Sequence, residues 1–343
     1  MLDSARFMTK PIIAVLAGEE LFASFFDERR KRRLRGFSRW TLYPIRQFDG
    51  VIPPGLRDAD ALITTWDSPY LSAETMRQMK SVKVIVHCGG EVKKRFEKSL
   101  FSKLVIVNTP EPMARPTAEL GAAFLLYAAR NVDYYRDALR RKSNRIYSEV
   151  HTTGGADESL LGREVGMIGC GRIGRALIDM LRGFDVRWRV HDPFASKELA
   201  ARLPVQFDSL NGVLKRSSLL VLTAAATDKT RHLLNRERLA MLPDGAVVIN
   251  IARGSLIDLP ALTKEVRSGR LRCALDVTDP DEPLAVDHPL RTLPGAIVTP
   301  HVGGGGPHTR GAMADAAMDE LERFFGGDPV QHRVTTDMLS RMT

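Results

Sequence analysis

Short apolar runs alternate with amphipathic stretches along most of the chain, and these runs have the length of β-strands. In the N-terminal part they predict strands at residues 12–16, 61–65, 82–87 and 104–108. A second series predicts strands at residues 164–168, 186–191, 219–222, 246–250, 272–275 and 296–299. Strands that alternate with helical patterns are typical of an α/β fold with parallel sheets.

Helical periodicity predicts three longer helices. One helix is expected at residues 117–140, after a proline-punctuated segment, and another at residues 311–325. Near the N-terminus, the spacing of Leu21, Phe22, Phe25 and Phe26 predicts a helix with one buried stripe. The basic run at 29–35 follows it, and we interpret this run as the solvated face of that helix.

Composition supports an ordinary globular protein. The 343 residues suggest two domains, and 44% hydrophobic with 27% charged residues is a common balance. No apolar run approaches the roughly 20 residues of a membrane span. The three cysteines, Cys88, Cys170 and Cys273, are far apart, without zinc spacing. We therefore predict a soluble cytoplasmic protein with no disulfide framework and no metal site.

The formal charge of +9 raises the alternative of a nucleic-acid partner, with the basic run at 29–35 as the contact. No zinc-finger or RNP aromatic motif accompanies that run. The sequence therefore argues against a nucleic-acid partner.

A glycine-rich turn lies between a predicted strand and the helix that follows it. Gly169, Gly171 and Gly174 form the pattern Gly-x-Gly-x-x-Gly, with Arg172 and Ile173 inside it. In a dinucleotide-binding unit the first glycine makes the turn, the second lets the backbone approach a pyrophosphate, and the third allows close helix–strand packing. We predict that the N-terminus of the helix binds the phosphates of a dinucleotide.

The next predicted strand ends at Asp192, about 20 residues beyond the turn, where a ribose-binding acid is expected. A carboxylate there accepts hydrogen bonds from the ribose hydroxyls and repels a 2′-phosphate, so NAD is favoured over NADP. Arg187 and Arg189 lie nearby in sequence, and their positive charges keep NADP open as the less favoured cofactor. Thr223 and Ile251, which follow two further strands, are also predicted to line the cofactor site.

Polar residues stand just beyond the carboxyl ends of three more strands, at the edge where open parallel sheets bind ligands. They are Arg253, Asp276, Glu282 and His301. Arg253 is suited to hold a carboxylate with two hydrogen bonds. His301 is suited to exchange a proton with a carbonyl oxygen, and Glu282 to orient its imidazole. Asp276 is placed to receive a nicotinamide carboxamide.

Several motifs occur together in one order. They are Gly166-Met167-Ile168 leading into the glycine turn, His191-Asp192-Pro193, Thr227-Asp228-Lys229-Thr230-Arg231, Ala274-Leu275-Asp276-Val277, Glu282-Pro283-Leu284 and Thr299-Pro300-His301. This set, over about 160–301, resembles the D-isomer-specific 2-hydroxyacid dehydrogenase family. The resemblance implies that Arg253 binds the substrate, that His301 is the acid/base and that Glu282 is its partner.

The resemblance also implies an architecture. We expect a Rossmann-type doubly wound NAD domain at 116–311 and a flavodoxin-like substrate domain at 1–115, completed by 312–343, with the active site in the cleft. Subunits of the family usually pair through their NAD domains, so a homodimer is expected.

The match is weaker before residue 109. The equivalent of the family's substrate loop is Cys88-Gly89-Gly90, and Val92 stands where aspartate is common. We expect the backbone N–H groups of this loop to hold a carboxylate. His87 is either a structural residue or a hydrogen-bond donor to a polar substrate tail.

These observations predict an oxidoreductase that transfers a hydride between NAD(H) and a 2-hydroxy or 2-keto acid. Two alternatives stay open. One is an NAD(H)-sensing binding protein of the corepressor type without turnover, because some relatives keep the Arg/Glu/His set. The other is a dehydrogenase of a non-standard acid such as formate or phosphite.

Overall fold

The computed structural model describes residues 10–45, 48, 52–140, 144–153 and 159–342. Its contacts divide the chain into two compact units. The first, unit 1, comprises Met1–Met113 and Gly305–Thr343, and the second, unit 2, comprises Ala114–Gly304. The boundaries expected from the sequence, at 115/116 and 311/312, lie a few residues further along the chain.

The strands in chain order are β1 Ile12–Leu16, β2 Arg39–Tyr43, β3 Ala61–Thr64, β4 Val84–His87, β5 Val105–Asn108, β6 Glu164–Ile168, β7 Arg187–His191, β8 Val205–Phe207, β9 Leu219–Leu222, β10 Val247–Asn250, β11 Arg272–Leu275 and β12 Ala296–Val298. The helices are α1 Glu19–Phe25, α2 Glu28–Phe37, α3 Pro54–Arg57, α4 Ala73–Arg77, α5 Glu111–Ala129, α6 Val132–Arg140, α7 Arg145–Thr153, α8 Arg172–Met180, α9 Lys197–Arg202, α10 Leu210–Arg216, α11 Arg236–Leu239, α12 Leu259–Arg267 and α13 Pro307–Gly326.

Unit 1 contains a five-stranded parallel sheet in the order β2-β1-β3-β4-β5. This is the flavodoxin-like order. Strands β3 and β4 are buried along their whole length, because one apolar cluster covers each face of the sheet. Helix α13 belongs to this unit and places Met313, Ala317 and Leu321 in one of these clusters.

Unit 2 contains a seven-stranded parallel sheet in the order β12-β11-β10-β9-β6-β7-β8. Counted within the unit, this is the Rossmann order 3-2-1-4-5-6 with one more strand at the end. The order reverses between β6 and β9, so the loops that follow these two strands meet at the switch point, where such sheets bind ligands. The prediction of an α/β fold with a Rossmann-type and a flavodoxin-like part is confirmed.

The N-terminal helix prediction needs a correction. The structure has two helices there, because Asp27 interrupts the first and its side chain accepts the N–H of Arg30 to cap α2. The basic run lies on α2, and three of its arginines form ion pairs with carboxylates of α13. Arg29 and Arg30 contact Asp315 at 2.9 and 2.7 Å. Much of the basic run therefore serves packing within unit 1.

The long helix predicted at 117–140 is wrong in its bounds. Helix α5 begins earlier, at Glu111, and tolerates Pro116 within its second turn. It ends at Ala129, and α6 starts at Val132 after Asn131, whose φ of 48° lies in the left-handed region. That conformation interrupts a right-handed helix.

The sequence pattern did not predict strands β2 and β8. Each lies at an edge of its sheet, and neither contains a fully buried residue. An edge strand packs against one neighbour only, so it needs no continuous apolar run.

Among the described residues, no helix is long and apolar enough to cross a membrane.

Candidate active site

The glycine turn of unit 2 follows β6 and leads into α8. Gly169 has φ +90°, and a Cβ there would lie 2.5 Å from the backbone of Ala224. A Cβ on Gly174 would lie 2.9 Å from Thr223 Oγ1. A Cβ on Gly171, by contrast, would meet no atom within 4 Å. Packing within the protein therefore requires the first and third glycines, and the space at the second suits a pyrophosphate beside the helix N-terminus.

Asp192 follows β7 and faces this turn. One of its carboxylate oxygens accepts the N–H of Cys170 at 2.7 Å, and the other accepts the N–H of Phe194 at 2.9 Å. A carboxylate has about four acceptor positions, so lone pairs remain for ribose hydroxyls. The donor and acceptor set around the turn fits a dinucleotide.

The two arginines next to Asp192 in sequence are held in place by other groups. Arg189 lies between Glu164 and Asp208, with contacts of 2.8 and 2.9 Å, and its side chain is 8% exposed. The Nε of Arg187 donates to the carbonyl of Gly162 at 3.0 Å. These contacts engage both arginines within the protein, which agrees with the preference for NAD.

Thr223 and Ile251 have mainly structural contacts. Thr223 donates its hydroxyl to the carbonyl of Gly169 at 2.6 Å and so stabilises the turn. Ile251 is 3% exposed and packs in the core, where its Cδ1 would lie 2.6 Å from a Cβ on Gly121. Because its side chain is buried, only the backbone of Ile251 is suited to contact a cofactor.

Arg253 stands in an extended conformation beyond the carboxyl end of β10. The side chain of Asn250 shapes this turn, since its amide donates to the carbonyl of Arg253 at 2.9 Å and its oxygen accepts the N–H of Ala252 at 3.0 Å. Gly254 then passes so close to the backbone of Thr278 that a Cβ would lie 2.0 Å from the Thr278 carbonyl carbon. Arg253 itself is half-buried.

His301 and Glu282 form a pair in the loops that follow β12 and β11. The imidazole Nδ1 lies 3.2 Å from Glu282 Oε2, and the side chains are 42% and 38% exposed. Burial acts to raise the pKa of Glu282, but the hydrogen bond and charge of His301, the Thr278 N–H and the charge of Arg253 outweigh it and lower that pKa below its usual value. Glu282 is therefore an ionised partner suited to orient His301.

The backbone of His301 has φ 55°, a strained conformation for a residue with a side chain. Asp276 supports it. The carbonyl of Asp276 accepts the His301 N–H at 2.9 Å. The residue is 2% exposed, and its carboxylate accepts the hydroxyl of Thr299 at 2.6 Å and the N–H groups of Val302 and Gly303 at 2.9 Å. Three of about four acceptor positions are thus occupied, leaving one for a carboxamide.

The predicted substrate loop lies in unit 1, beyond β4. The N–H groups of Cys88 and Gly89 donate to the carbonyls of Thr64 and His87 at 2.8 and 2.9 Å. The carbonyl of Gly90 accepts the side-chain amide of Asn108 at 2.8 Å. Burial raises the pKa of the Cys88 thiol to about 12, so this side chain stays a neutral thiol. The N–H groups of Cys88 and Gly89 are therefore engaged within unit 1, and the role of the loop in holding a carboxylate stays a prediction.

His87 lies beneath this loop and is fully buried. Its Nδ1 is 3.0 Å from Thr64 Oγ1, and its Nε2 has no hydrogen-bond partner among the described residues. Burial, with a smaller effect from the charge of Arg95, lowers its pKa to about 3. A Cβ on Gly89 would lie 2.6 Å from His87 Nε2 and 2.8 Å from Trp66 Nε1. These contacts favour a structural role for His87. Its ring and that of Trp66 leave no space for a side chain at position 89.

Trp66 and Arg310 were missed by the sequence analysis. Trp66 follows β3, and the guanidinium of Arg310 lies over its ring at 5.0 Å from the centroid. Arg310 also donates to the carbonyl of Gly305 at 2.7 Å and to the hydroxyl of Ser24 at 2.9 Å. No sequence signal joins residues so far apart.

Among the described residues, no group of three or more histidine, cysteine, aspartate or glutamate side chains is arranged to hold a metal ion.

Comparison with known proteins agrees with this geometry. The model of the D-isomer specific 2-hydroxyacid dehydrogenase NAD binding domain matches residues 122–303. Glyoxylate reductase of Thermococcus kodakarensis is 30% identical over 81% of this chain and 84% of its own length. D-3-phosphoglycerate dehydrogenase of Methanocaldococcus jannaschii is 29% identical over 81% of this chain, which spans 52% of the length of that relative.

Among solved structures, the TT0316 protein of Thermus thermophilus is 30% identical, with a TM-score of 0.74. The match covers 94% of this chain and all of that one. The chain thus belongs to the D-isomer specific 2-hydroxyacid dehydrogenase family and is a hydroxyacid oxidoreductase, with NAD as the cofactor of the family.

Proposed function

We propose that this chain interconverts a small 2-keto acid and the matching 2-hydroxy acid with NAD(H), using His301 as acid/base. The observation that carries this proposal is the Glu282–His301 contact of 3.2 Å at the carboxyl edge of the Rossmann-type sheet. A half-exposed imidazole with a carboxylate partner can both give and take a proton.

Each residue of the set has its own role. In reduction, His301 donates its Nε2 proton to the carbonyl oxygen, and in oxidation it removes the hydroxyl proton. Glu282 holds Nδ1 and stabilises the imidazolium. Arg253 binds the substrate carboxylate through its guanidinium. Its charge contributes to lowering the pKa of Glu282, which supports a place beside the pair.

The cofactor residues are those of the glycine turn and its surroundings. When bound, NAD(H) supplies or accepts the hydride. Gly171, Arg172 and Ile173 would hold the pyrophosphate at the start of α8, and Asp192 would hold the adenosine ribose. Gly169, Gly174 and Thr223 shape the turn. Ile251 would contribute its backbone, and Asp276 its last acceptor position, near the nicotinamide.

Unit 1 is assigned the substrate contacts other than Arg253. Gly90 would donate its N–H to the substrate carboxylate, while Cys88 and Gly89 shape the loop. The indole of Trp66 lies beside the loop and restricts the space there. Because relatives of this chain are named glyoxylate reductases, we propose glyoxylate-sized 2-keto acids as substrates.

The test is oxidation of NADH with a panel of 2-keto acids: glyoxylate, hydroxypyruvate, pyruvate, phenylpyruvate and branched-chain acids, with NADPH run in parallel. We expect turnover with the smallest acids and a preference for NADH. Tight NADH binding without turnover on any keto acid would contradict the proposal. Turnover of formate or phosphite instead would leave the family assignment standing and replace the substrate.

We further propose a cytoplasmic homodimer that pairs through unit 2. Tyr134 and Leu139 on α6, and Tyr147 on α7, are more than half exposed, as expected of side chains that a second subunit covers. The buried unpaired cysteines agree with a reducing compartment. Light scattering of the wild type and of Leu139→Glu tests the dimer, and fractionation of the source cells tests the location. A monomeric wild type would contradict the first statement.

A further inference from the structure

The loop that carries Glu282 is tied together by Thr278. The Thr278 hydroxyl donates to the carbonyl of Asp281 at 2.5 Å, and its N–H donates to Glu282 Oε1 at 3.3 Å. Thr278 is 8% exposed, so water has little access to replace either contact. The two bonds join Thr278 to the residues three and four positions further along the loop.

Two contacts hold this loop from outside. Gly254, next to Arg253, lets the backbone of Thr278 approach closely, since a Cβ there would lie 2.1 Å from the Thr278 carbonyl oxygen. Arg231 lies 3.4 Å from the carboxylate of Asp279. The first contact fixes the start of the loop against the strand end that carries Arg253.

The two oxygens of Glu282 then have separate partners. Oε1 faces the N–H of Thr278, and Oε2 faces Nδ1 of His301 at 3.2 Å. Because a carboxylate is planar, fixing one oxygen determines the direction of the other. The orientation of the Glu282 carboxylate, and with it the imidazole, therefore depends on the loop conformation that Thr278 maintains.

We propose that Thr278 is a positioning residue for the His301 acid/base and acts by orienting the carboxylate of Glu282 through its own N–H and the hydroxyl bond to Asp281. This rests on the proposed function, in which His301 moves the proton. The hydroxyl of Thr278 can be removed without changing the backbone N–H. Valine has nearly the same shape as threonine but cannot donate a hydrogen bond from its side chain.

The test compares Thr278→Val, Thr278→Ser and a matched control, Thr263→Val. Thr263 in α12 is also 8% exposed and also donates its hydroxyl to a backbone carbonyl, that of Leu259 at 2.7 Å. We expect Thr278→Val to lower kcat about 3- to 10-fold, the effect of one ordinary hydrogen bond. KM for the keto acid should stay within about 2-fold of wild type, because Arg253 is untouched.

Thr278→Ser should restore kcat, and Thr263→Val should leave it unchanged. The acid limb of the pH profile should move to higher pH in Thr278→Val, because the Thr278 N–H and His301 are among the groups that lower the pKa of Glu282. Equal kcat in wild type and folded Thr278→Val, or an equal loss in Thr263→Val, would overturn the proposal. Thr278→Ala replaces the valine variant if the latter does not fold.

A second measurement separates this inference from the proposed function. In protein with ¹⁵N-labelled histidine, the His301 Nδ1 signal reports its hydrogen bond to Glu282 without any turnover. We expect Thr278→Val to shift this signal in the same direction as Glu282→Gln, and Thr278→Ser to leave it in place. An unmoved signal in folded Thr278→Val contradicts positioning even in an active enzyme. A moved signal with no turnover on any keto acid contradicts only the proposed function.

Discussion

His87 and His301 stand at comparable places in two parallel sheets. His87 is the last residue of β4 in unit 1, and His301 follows shortly after β12 in unit 2. His87 is fully buried, pairs with a hydroxyl and has a pKa lowered to about 3, so it is neutral. The His301 side chain is 42% exposed and pairs with a carboxylate.

The difference shows that a place at the carboxyl end of a strand does not make a histidine an acid/base. Of these two histidines, only His301 has both an exposed side chain and a carboxylate partner, which the proposed acid/base role requires. The contrast extends to the neighbours of each histidine. The loop residues Cys88, Gly89 and Gly90 carry no charge, and besides burial the charged group that acts on His87 is Arg95, which lowers its pKa. The edge that carries His301 also carries Arg253, Glu282 and Asp192.

The largest expected effect is that of His301→Ala. Loss of the acid/base should lower kcat for keto acid reduction by about 10²- to 10⁴-fold, because proton transfer in the transition state is lost. Fluorescence titration should show NADH binding close to that of wild type. His151→Ala, which removes an exposed histidine of α7, is the control and should keep full activity. Loss of NADH binding in folded His301→Ala would argue against the acid/base role.

Asp192→Ser tests the charged edge of unit 2 next. It removes the carboxylate assigned to the ribose, and hydrogen bonds to a charged group are worth about 1.5–3 kcal/mol. We expect kcat/KM for NADH to fall about 10- to 100-fold, while kcat/KM for NADPH falls less or rises. Steady-state kinetics with both cofactors measures the ratio. An unchanged preference for NADH would mean that the carboxylate of Asp192 serves only its contacts with Cys170 and Phe194.

Gly89→Ala tests the neutral loop of unit 1. The added Cβ would lie 2.6 Å from His87 Nε2, and neither His87 nor the ring of Trp66 can move without cost. Overpacking of this kind costs about 1–3 kcal/mol of folding stability unless the loop shifts. A shift would displace Gly90, so we expect KM for the keto acid to rise with kcat nearly unchanged. Gly36→Ala, at a helical glycine with nothing within 4 Å, is the matched control. Equal KM values in the two variants would remove the loop from substrate binding.

The smallest effect on activity is expected for His87→Phe, which tests the neutrality of His87. The pKa of His87 is about 3 in the folded protein and about 6.5 in the unfolded chain, so only the unfolded chain takes up the proton between these values. Wild-type stability should therefore fall as the pH decreases from 6.5 towards 3, by at most about 1.4 kcal/mol per pH unit from this residue.

His87→Phe should lose this part of the slope in urea unfolding at pH 7.5, 6 and 5, although the loss of the Thr64 contact lowers its stability at pH 7.5. His151→Ala, at an exposed histidine, should keep the slope of the wild type. A slope in His87→Phe equal to that of the wild type would mean that His87 already carries a proton in the folded protein.

The sequence predicted the central strands well. The predicted and observed bounds agree for β1, β6, β9 and β11, because a strand covered on both faces is buried and apolar over most of its length. It failed at the edge strands β2 and β8 and at the break between α5 and α6. There the conformation depends on a neighbouring strand or on a single residue, Asn131, in the left-handed region.

The sequence by itself predicted the order of most elements, the glycine turn, and Arg253, Glu282 and His301 as candidate site residues, since these are local patterns with known chemistry. Tertiary structure decided which groups are exposed to solvent and which donate or accept hydrogen bonds within the protein. It buried His87, occupied the N–H groups of Cys88 and Gly89 and most of the Asp276 carboxylate, and brought Thr278 against Gly254. Burial and hydrogen-bond partners depend on distances between residues far apart in the chain, and no local pattern contains those distances.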